Sequence, residues 1–283
     1  MDDLTQRILD PEWQRQHREM GFLSPIADLY ESLGLYDEPE DRKMNVIYSG
    51  TRNLYTAMRG AILSLLEHNP EAKVYVLAED DTLPFVIPCD HEVINVSGQK
   101  FFPATGPNMR SQFTYMAMLR VCTPLLIPED RVIQLDVDTI ICDSLQPIWD
   151  MDLTDRWVGW CPEEYGRFRP FGPKYYNFGV AVLNLAQMRK DGATQLLVRD
   201  LNVNRYPFID QDVMNRFAVP EKTVDLPVRY NECFCCGWTE HPAIVHYAGY
   251  PDWYTSNAAP RWWLREKYKQ AADEFFGACG NGD

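Results

Sequence analysis

The sequence predicts an α/β protein: a Rossmann-like, mainly parallel sheet flanked by helices, with an N-terminal helical extension. Two observations predict it. From residue 44 onward, short apolar runs alternate with segments whose apolar residues recur at helical spacing, and strands that alternate with helices build a parallel sheet. The chain also carries no internal repeat and no low-complexity segment. The simplest division is therefore an extension over 1–43 and one domain over 44–283.

In the extension, LTQRILDPEWQRQHREMGF and IADLYESLGL each suit a helix, Pro11 fits a first helical turn, and YDEPEDRK reads as a linker. This part is expected to pack on the main domain or on a second copy of the chain, as a homo-oligomer. MNVIYSG is the first strand, and LYTAMRGAILSLLEHNP is a helix stopped by Pro70. KVYVLAED and HEVINVS are the second and third strands. RSQFTYMAMLRVCTPLL is helical to about Thr123, because Pro124 restricts the residue before it. RVIQLDVDTII supplies the fourth strand and its continuation. WVGWCPE is a strand that enters a loop rich in Gly, Pro, Arg and aromatic residues, and NFGVAVLNL is another strand. QMRKDGATQLLVRDLNVN is helical, DQDVMNRFA starts a further helix with Asp210 as N-cap, and AIVHYAG is a last short strand.

At 283 residues the chain can bury one large core or two small ones, and 46% hydrophobic with 24% charged residues suits a soluble globular protein. No apolar run approaches the roughly 18–20 residues that span a bilayer. The start, MDDLTQRILDPEW, is acidic where a secretory signal is basic and then apolar, so the cytoplasm is the expected location. A formal charge of −14 argues against nucleic acid and anionic lipid as partners. It also repels an anionic nucleotide, unless a basic patch or a bound cation reverses the sign locally. Of the eight cysteines several sit in apolar runs, and CFCC at 233–236 suits free thiols better than structural zinc.

Candidate chemistry sits where strands end, since ligands of open α/β sheets bind outside the carboxyl ends of the strands. Ser49-Gly50-Thr51-Arg52-Asn53 follows the first strand and Asp136-Val137-Asp138 follows the fourth, so both are expected to face one cleft. Alternation along a strand would point Asp136 and Asp138 the same way. Such a pair repels itself unless a cation bridges it, and a hard divalent ion completed by phosphate oxygens is the natural partner. The competing reading is a solvated turn that carries two acids by chance. The apolar run directly before the pair favours the metal.

The stretch MLRVCTPLLIPEDRVIQLDVDTIICDSLQPIWDMDLTDRWVG resembles the core of glycosyltransferase family 8, which includes bacterial lipopolysaccharide galactosyl- and glucosyltransferases, glycogenin and galactinol synthase. YYNFGVAVLNL, DQDVMN and VHYAG follow in the family's order, and NVIYSGTRNLYTAMRGAILSLLEHNPEAKVYVLAEDD resembles its first strand-helix-strand unit. The likeness spans about residues 44–255. It implies a GT-A fold and retaining transfer of glucose or galactose from a UDP-sugar. The acceptor is left open among glycan, lipid-linked sugar, protein and polyol.

The resemblance also implies roles. Asp136, Asp138 and His246 match the metal ligands, and an imidazole among carboxylates suits Mn²⁺ better than Mg²⁺. Arg120, Asn177 and Asn53 match donor contacts, with Ser49, Val137, Asp212 and Gly249 in the same donor set. Thr51 stands where many members carry an Asp for the uracil ring. Asp210 and Gln211 match the catalytic segment, where front-face attack has Asp210 orient the sugar hydroxyls and Gln211 stabilise positive charge at the anomeric carbon. One departure stands out: HYAGYPDWY lacks the family's phosphate-contacting Lys, for which Arg261, Arg265 or Lys267 could substitute. The loop 161–176, with Arg167, Arg169 and Lys174 among aromatic rings, is a candidate lid or a packed aromatic cluster. Two rival functions are a sugar-nucleotide-binding protein without transfer and a nucleotidyltransferase. The latter would want a Gly-rich, Lys-bearing loop after the first strand, which SGTRN is not.

Overall fold

A computed structural model describes residues 43–111, 113–164, 174–250 and 252–279, with side chains to residue 274. The expected extension lies outside the described residues but for Lys43, as does most of the candidate lid. The chain runs β1 (Asn45–Ser49), α1 (Tyr55–His68), β2 (Lys73–Ala78), β3 (His91–Asn95), α2 (Tyr115–Leu119), α3 (Thr123–Leu126), β4 (Arg131–Leu135) and β5 (Thr139–Ile141). It continues through α4 (Gln146–Trp149), β6 (Val158–Pro162), β7 (Tyr176–Asn184), α5 (Leu185–Lys190), α6 (Ala193–Val203) and α7 (Ile209–Phe217). It ends with β8 (Thr223–Asp225), β9 (Ile244–His246) and α8 (Trp262–Cys279).

Seven strands form one sheet in the order β3-β2-β1-β4-β7-β6-β8, and β5 pairs with β9 apart from it. The pairs β1–β2, β2–β3, β1–β4 and β6–β8 are parallel, while β7 is antiparallel to both β4 and β6. The mainly parallel sheet is thus as expected. Side-chain alternation splits the core in two. Ile47, Tyr75, Leu77 and Val132 join Leu119, Leu197 and Val213 on one face. Val46, Tyr48, Val74, Val76 and Ile133 join Met58, Ile62 and Leu65 of α1 on the other. Each such aliphatic side chain, fully buried, contributes about 1.5–3 kcal/mol. Strand β7, with neighbours on both edges and cover on both faces, is buried over eight of its nine residues, so it reads as a continuous apolar run.

Four local expectations are corrected. Helix α2 tightens into a single 3₁₀ turn over Arg120–Cys122 and helix resumes as α3 with Pro124 in its first turn. A first-turn proline gives up only an N–H that has no helical partner, so it starts this helix instead of barring it. Asp136, Val137 and Asp138 lie in a turn between β4 and β5 and not on a strand; the Thr139 hydroxyl donates to the Asp136 carbonyl at 2.7 Å to close it. Gly192, at φ +64°, divides the expected long helix into α5 and α6. Phe208, not Asp210, precedes the first turn of α7, and Asp212 accepts the Phe208 N–H at 2.8 Å. Strand β8 has no counterpart in the sequence reading.

Candidate functional site

Strand order brings the two acidic and polar segments together. Tyr48 of β1 lies beside Leu135 of β4 in parallel register, so Ser49–Asn53 and Asp136–Asp138 leave the sheet side by side. Because β7 runs antiparallel, its first residues reach the level where β4 ends, and the Asp136 N–H donates to the Gly179 carbonyl at 2.8 Å. On the other side, the β5–β9 pair sets Thr139 opposite His246, and the Tyr247 N–H donates to the Asp138 carbonyl at 2.9 Å. Three separated segments therefore meet at one point.

At that point His246 Nε2 lies 3.3 Å from Asp138 Oδ1 and 3.6 Å from Asp136 Oδ2. Ligand atoms of Asp136, Asp138 and His246 all fall within 4.8 Å of one another, the one such group among the described residues. Both carboxylates are partly exposed, at 30% and 24%, while the imidazole beside them is 2% exposed. Gly179 makes the space for it: a Cβ built there would lie 2.2 Å from His246 Cε1 and 2.8 Å from Asp136 Oδ2. Two carboxylate oxygens and one imidazole nitrogen on a partly open wall fit a divalent cation that keeps positions for further oxygen ligands.

Arg120 also meets the pair. Its Nη1 donates to Asp136 Oδ1, its Nε donates to Asp210 Oδ2 at 2.6 Å, and its guanidinium lies 5.4 Å from the Phe178 ring centre. One fork thus holds a residue from the β4–β5 turn and one from α7. Burial pushes Asp136 and Asp210 above the ordinary aspartate range against the pull of Arg120. Burial pulls the His246 imidazole down, but Asp138 and then Cys233 outweigh it and hold the ring well above its ordinary value. The site draws positive charge, as a proton or as a cation.

Gln211 is fixed by three partners: its Oε1 accepts from the Phe178 N–H at 3.0 Å, and its Nε2 contacts Glu163 Oε1 at 3.2 Å and the Tyr175 hydroxyl at 3.1 Å. Asp212 accepts from the Tyr175 hydroxyl at 2.6 Å as well as from Phe208. Asn177 Oδ1 accepts from the Gly179 N–H at 3.0 Å and from Asn231 Nδ2 at 3.0 Å. Both donor-set candidates therefore brace their neighbours. Val137 packs its side chain into the core. At the end of β1 the Thr51 hydroxyl donates to Asn53 Oδ1 at 2.5 Å on an exposed edge. Gly249, at φ +83° with no atom within 4 Å of a built Cβ, needs its glycine for conformation and not for space.

The three proposed substitutes for the absent lysine are engaged elsewhere. Arg261 Nε donates to the fully buried Glu232 at 2.5 Å, and Arg265 Nη1 donates to the carbonyls of Trp253 at 2.6 Å and Ser256 at 2.8 Å. Lys267 donates to Glu67 at 2.8 Å. Sequence reasoning missed Glu163, Gly179 and Asn231. NFGV offered one signal, a glycine inside a buried strand, which marks a close approach; Asn231 and Glu163 carried none.

The sequence profile described as glycosyl transferase family 8 matches residues 45–252. General stress protein A of Bacillus subtilis (strain 168) is 24% identical over 260 residues, covering 74% of this chain and 87% of that protein. Glycosyltransferase GlyA of Streptococcus pneumoniae serotype 4 is 22% identical over 230 residues, covering 74% of this chain but only 32% of its own length. Among solved structures, a galactosyltransferase LgtC in complex with donor and acceptor sugar analogs superposes with a TM-score of 0.63 at 20% identity, over 81% of this chain and 96% of that one. The glycosyltransferase GlyE of Streptococcus pneumoniae TIGR4 gives 0.60 at 20% identity, over 84% and 64%. At such identities the structural likeness establishes the GT-A fold.

Proposed function

Because the chain belongs to glycosyl transferase family 8, we propose that it moves a hexose, glucose or galactose, from a UDP-sugar to an acceptor with retention at the anomeric carbon. The observation that carries this reading is the convergence of Asp136, Asp138 and His246 beside the Arg120–Asp210 pair. Asp136, Asp138 and His246 would hold Mn²⁺, with Mg²⁺ as the alternative. When bound, the ion supplies Lewis acidity that takes up negative charge on the departing diphosphate. It also offsets the acidity of a chain of net charge −14, which would otherwise repel the donor.

Ser49, at the end of β1, and Thr51 and Asn53, just after it, serve the nucleotide. Arg120 clamps the donor and holds Asp210 in place. Asp210 orients the sugar hydroxyls, and Gln211, fixed by three hydrogen bonds, faces charge developing at the anomeric carbon. In the front-face route the acceptor hydroxyl attacks from the side the diphosphate leaves, and its proton passes to a diphosphate oxygen. Asn177 and Asp212 support the pocket through Asn231 and Tyr175. Gly249 allows backbone to approach phosphate. The expected site of action is the cytoplasm; among the described residues no helix is long and apolar enough to cross a membrane.

The test is UDP release from UDP-glucose and UDP-galactose with Mn²⁺ and with a chelator. Release that requires Mn²⁺ and is lost in Asp138→Ala is expected. No binding, hydrolysis or transfer with any nucleotide sugar refutes the proposal. The engaged Arg261, Arg265 and Lys267 favour one second reading, a binding protein without transfer, whose mark is metal-dependent binding with no UDP release.

A further inference from the structure

We infer that Asn231 is a positioning residue for His246: it dictates which imidazole nitrogen carries the hydrogen and so turns the lone pair of Nε2 toward Asp136 and Asp138. The inference rests on the proposed metal role of those three residues.

The polarity can be traced from a group whose direction is not in question. A backbone N–H only donates. The Gly179 N–H meets Asn177 Oδ1 at 3.0 Å, which fixes that amide with its oxygen toward Gly179. Asn177 Nδ2 then faces Glu163 Oε1 at 3.3 Å, a carboxylate that accepts, so both ends of the amide agree. Asn177 Oδ1 also faces Asn231 at 3.0 Å, and only the Nδ2 end of Asn231 can donate to it. Asn231 Oδ1 is left facing His246 Nδ1 at 2.8 Å. An amide oxygen only accepts, so Nδ1 carries the hydrogen. In the neutral ring Nε2 is then the bare nitrogen, 3.3 Å from Asp138 and 3.6 Å from Asp136.

Burial makes the relay binding on the ring. Asn231 is 0% exposed, His246 4% and Asn177 6%, so water does not compete for these bonds. The backbone holds the amide in place: the Glu232 N–H donates to the Ile244 carbonyl at 3.0 Å, and the His246 N–H donates to the Glu232 carbonyl at 2.9 Å. Without Asn231 Oδ1, the other neutral tautomer, with Nε2–H donating to Asp138, would aim a hydrogen where a ligand lone pair is needed. Hydrogen-bond partners behind a metal-bound histidine typically govern about 10–100-fold in metal affinity.

The experiment measures Mn²⁺ binding to the full chain without nucleotide, by electron paramagnetic resonance of the free ion. Asn231→Leu, similar in volume and without an acceptor, is expected to weaken Mn²⁺ binding by about 10–100-fold. Asn231→Asp keeps an acceptor for Nδ1 and is expected to remain within about fivefold of wild type, a split that a merely structural role would not produce. Wild-type binding matched by Asn231→Leu, or equal losses in both variants, overturns the inference alone. Absence of Mn²⁺ binding in wild type overturns the proposed metal-assisted function and this inference with it. Long-range ¹H–¹⁵N spectra of the wild-type imidazole, recorded at a pH high enough to leave the ring neutral, need no variant to fold: a protonated Nδ1 with a bare Nε2 is expected, and the opposite tautomer overturns the inference.

Discussion

Replacing Gly179 by alanine adds one methyl group to β7 and tests whether the space beside His246 is structural necessity. The built Cβ would lie 2.2 Å from His246 Cε1, 2.8 Å from His246 Nε2 and 2.8 Å from Asp136 Oδ2. Non-bonded carbons prefer about 3.5–4 Å, so the closest contact is short by more than about 1 Å. Strand β7 cannot withdraw, because β4 and β6 hold it on both edges. The imidazole must give way instead. Moving it off its rotamer costs about 0.5–1.5 kcal/mol, and parting it from Asn231 leaves buried polar atoms unpaired at about 1–3 kcal/mol. The expected loss for Gly179→Ala is about 2–4 kcal/mol of stability in urea unfolding, with Mn²⁺ binding weakened at least about tenfold in calorimetry. Stability within about 0.5 kcal/mol of wild type together with unchanged Mn²⁺ affinity would refute the reasoning.

Arg120→Met leaves Asp136 and Asp210 without their shared cation and is expected to cost about 3–5 kcal/mol near neutral pH. Both carboxyls already sit above the ordinary aspartate value through burial. Arg120 pulls both values down, so its removal raises them further; the variant then takes up protons at higher pH than wild type does, and the deficit should shrink as pH falls, which urea midpoints across pH check. Asp191 presents the opposite sign. Burial opposes its ionisation, but Lys222 at 2.5 Å and the Trp157 indole at 2.6 Å outweigh it and hold the carboxyl below 3.8. Its contribution is full above that value and lost as pH falls through the lower folded-state value. Asp191→Asn should therefore be about 1–2 kcal/mol less stable at pH 7, with the gap closing in acid. A gap that does not narrow as pH falls below 3.8 would count against this account.

Much of the fold was legible because local pattern reports burial. Apolar runs such as NVIYS and KVYVLA became β1 and β2, and the helical spacing ahead of Pro70 became α1. Pattern failed where a turn imitates a strand. Asp136-Val137-Asp138 continues the alternation of RVIQL, yet the chain turns there because β7 pairs with β4 only up to Leu135. The two aspartates converge on His246 all the same, through the turn and the β5–β9 pair and not through alternation. Pattern also failed for Pro124, whose restraint on Thr123 yielded to the tertiary context that packs α3 against the sheet.

What the sequence by itself determined is the alternating α/β order, the acidic pair after an apolar run, and the ordered motifs that carry the family. Those depend on neighbours along the chain. The resemblance had already joined His246 to Asp136 and Asp138; only the tertiary structure decided that Gly179 leaves room for its ring and that Asn231 fixes its tautomer. These rest on β7 entering the sheet antiparallel and on β9 pairing with β5, contacts between distant segments whose partner choice no local periodicity encodes.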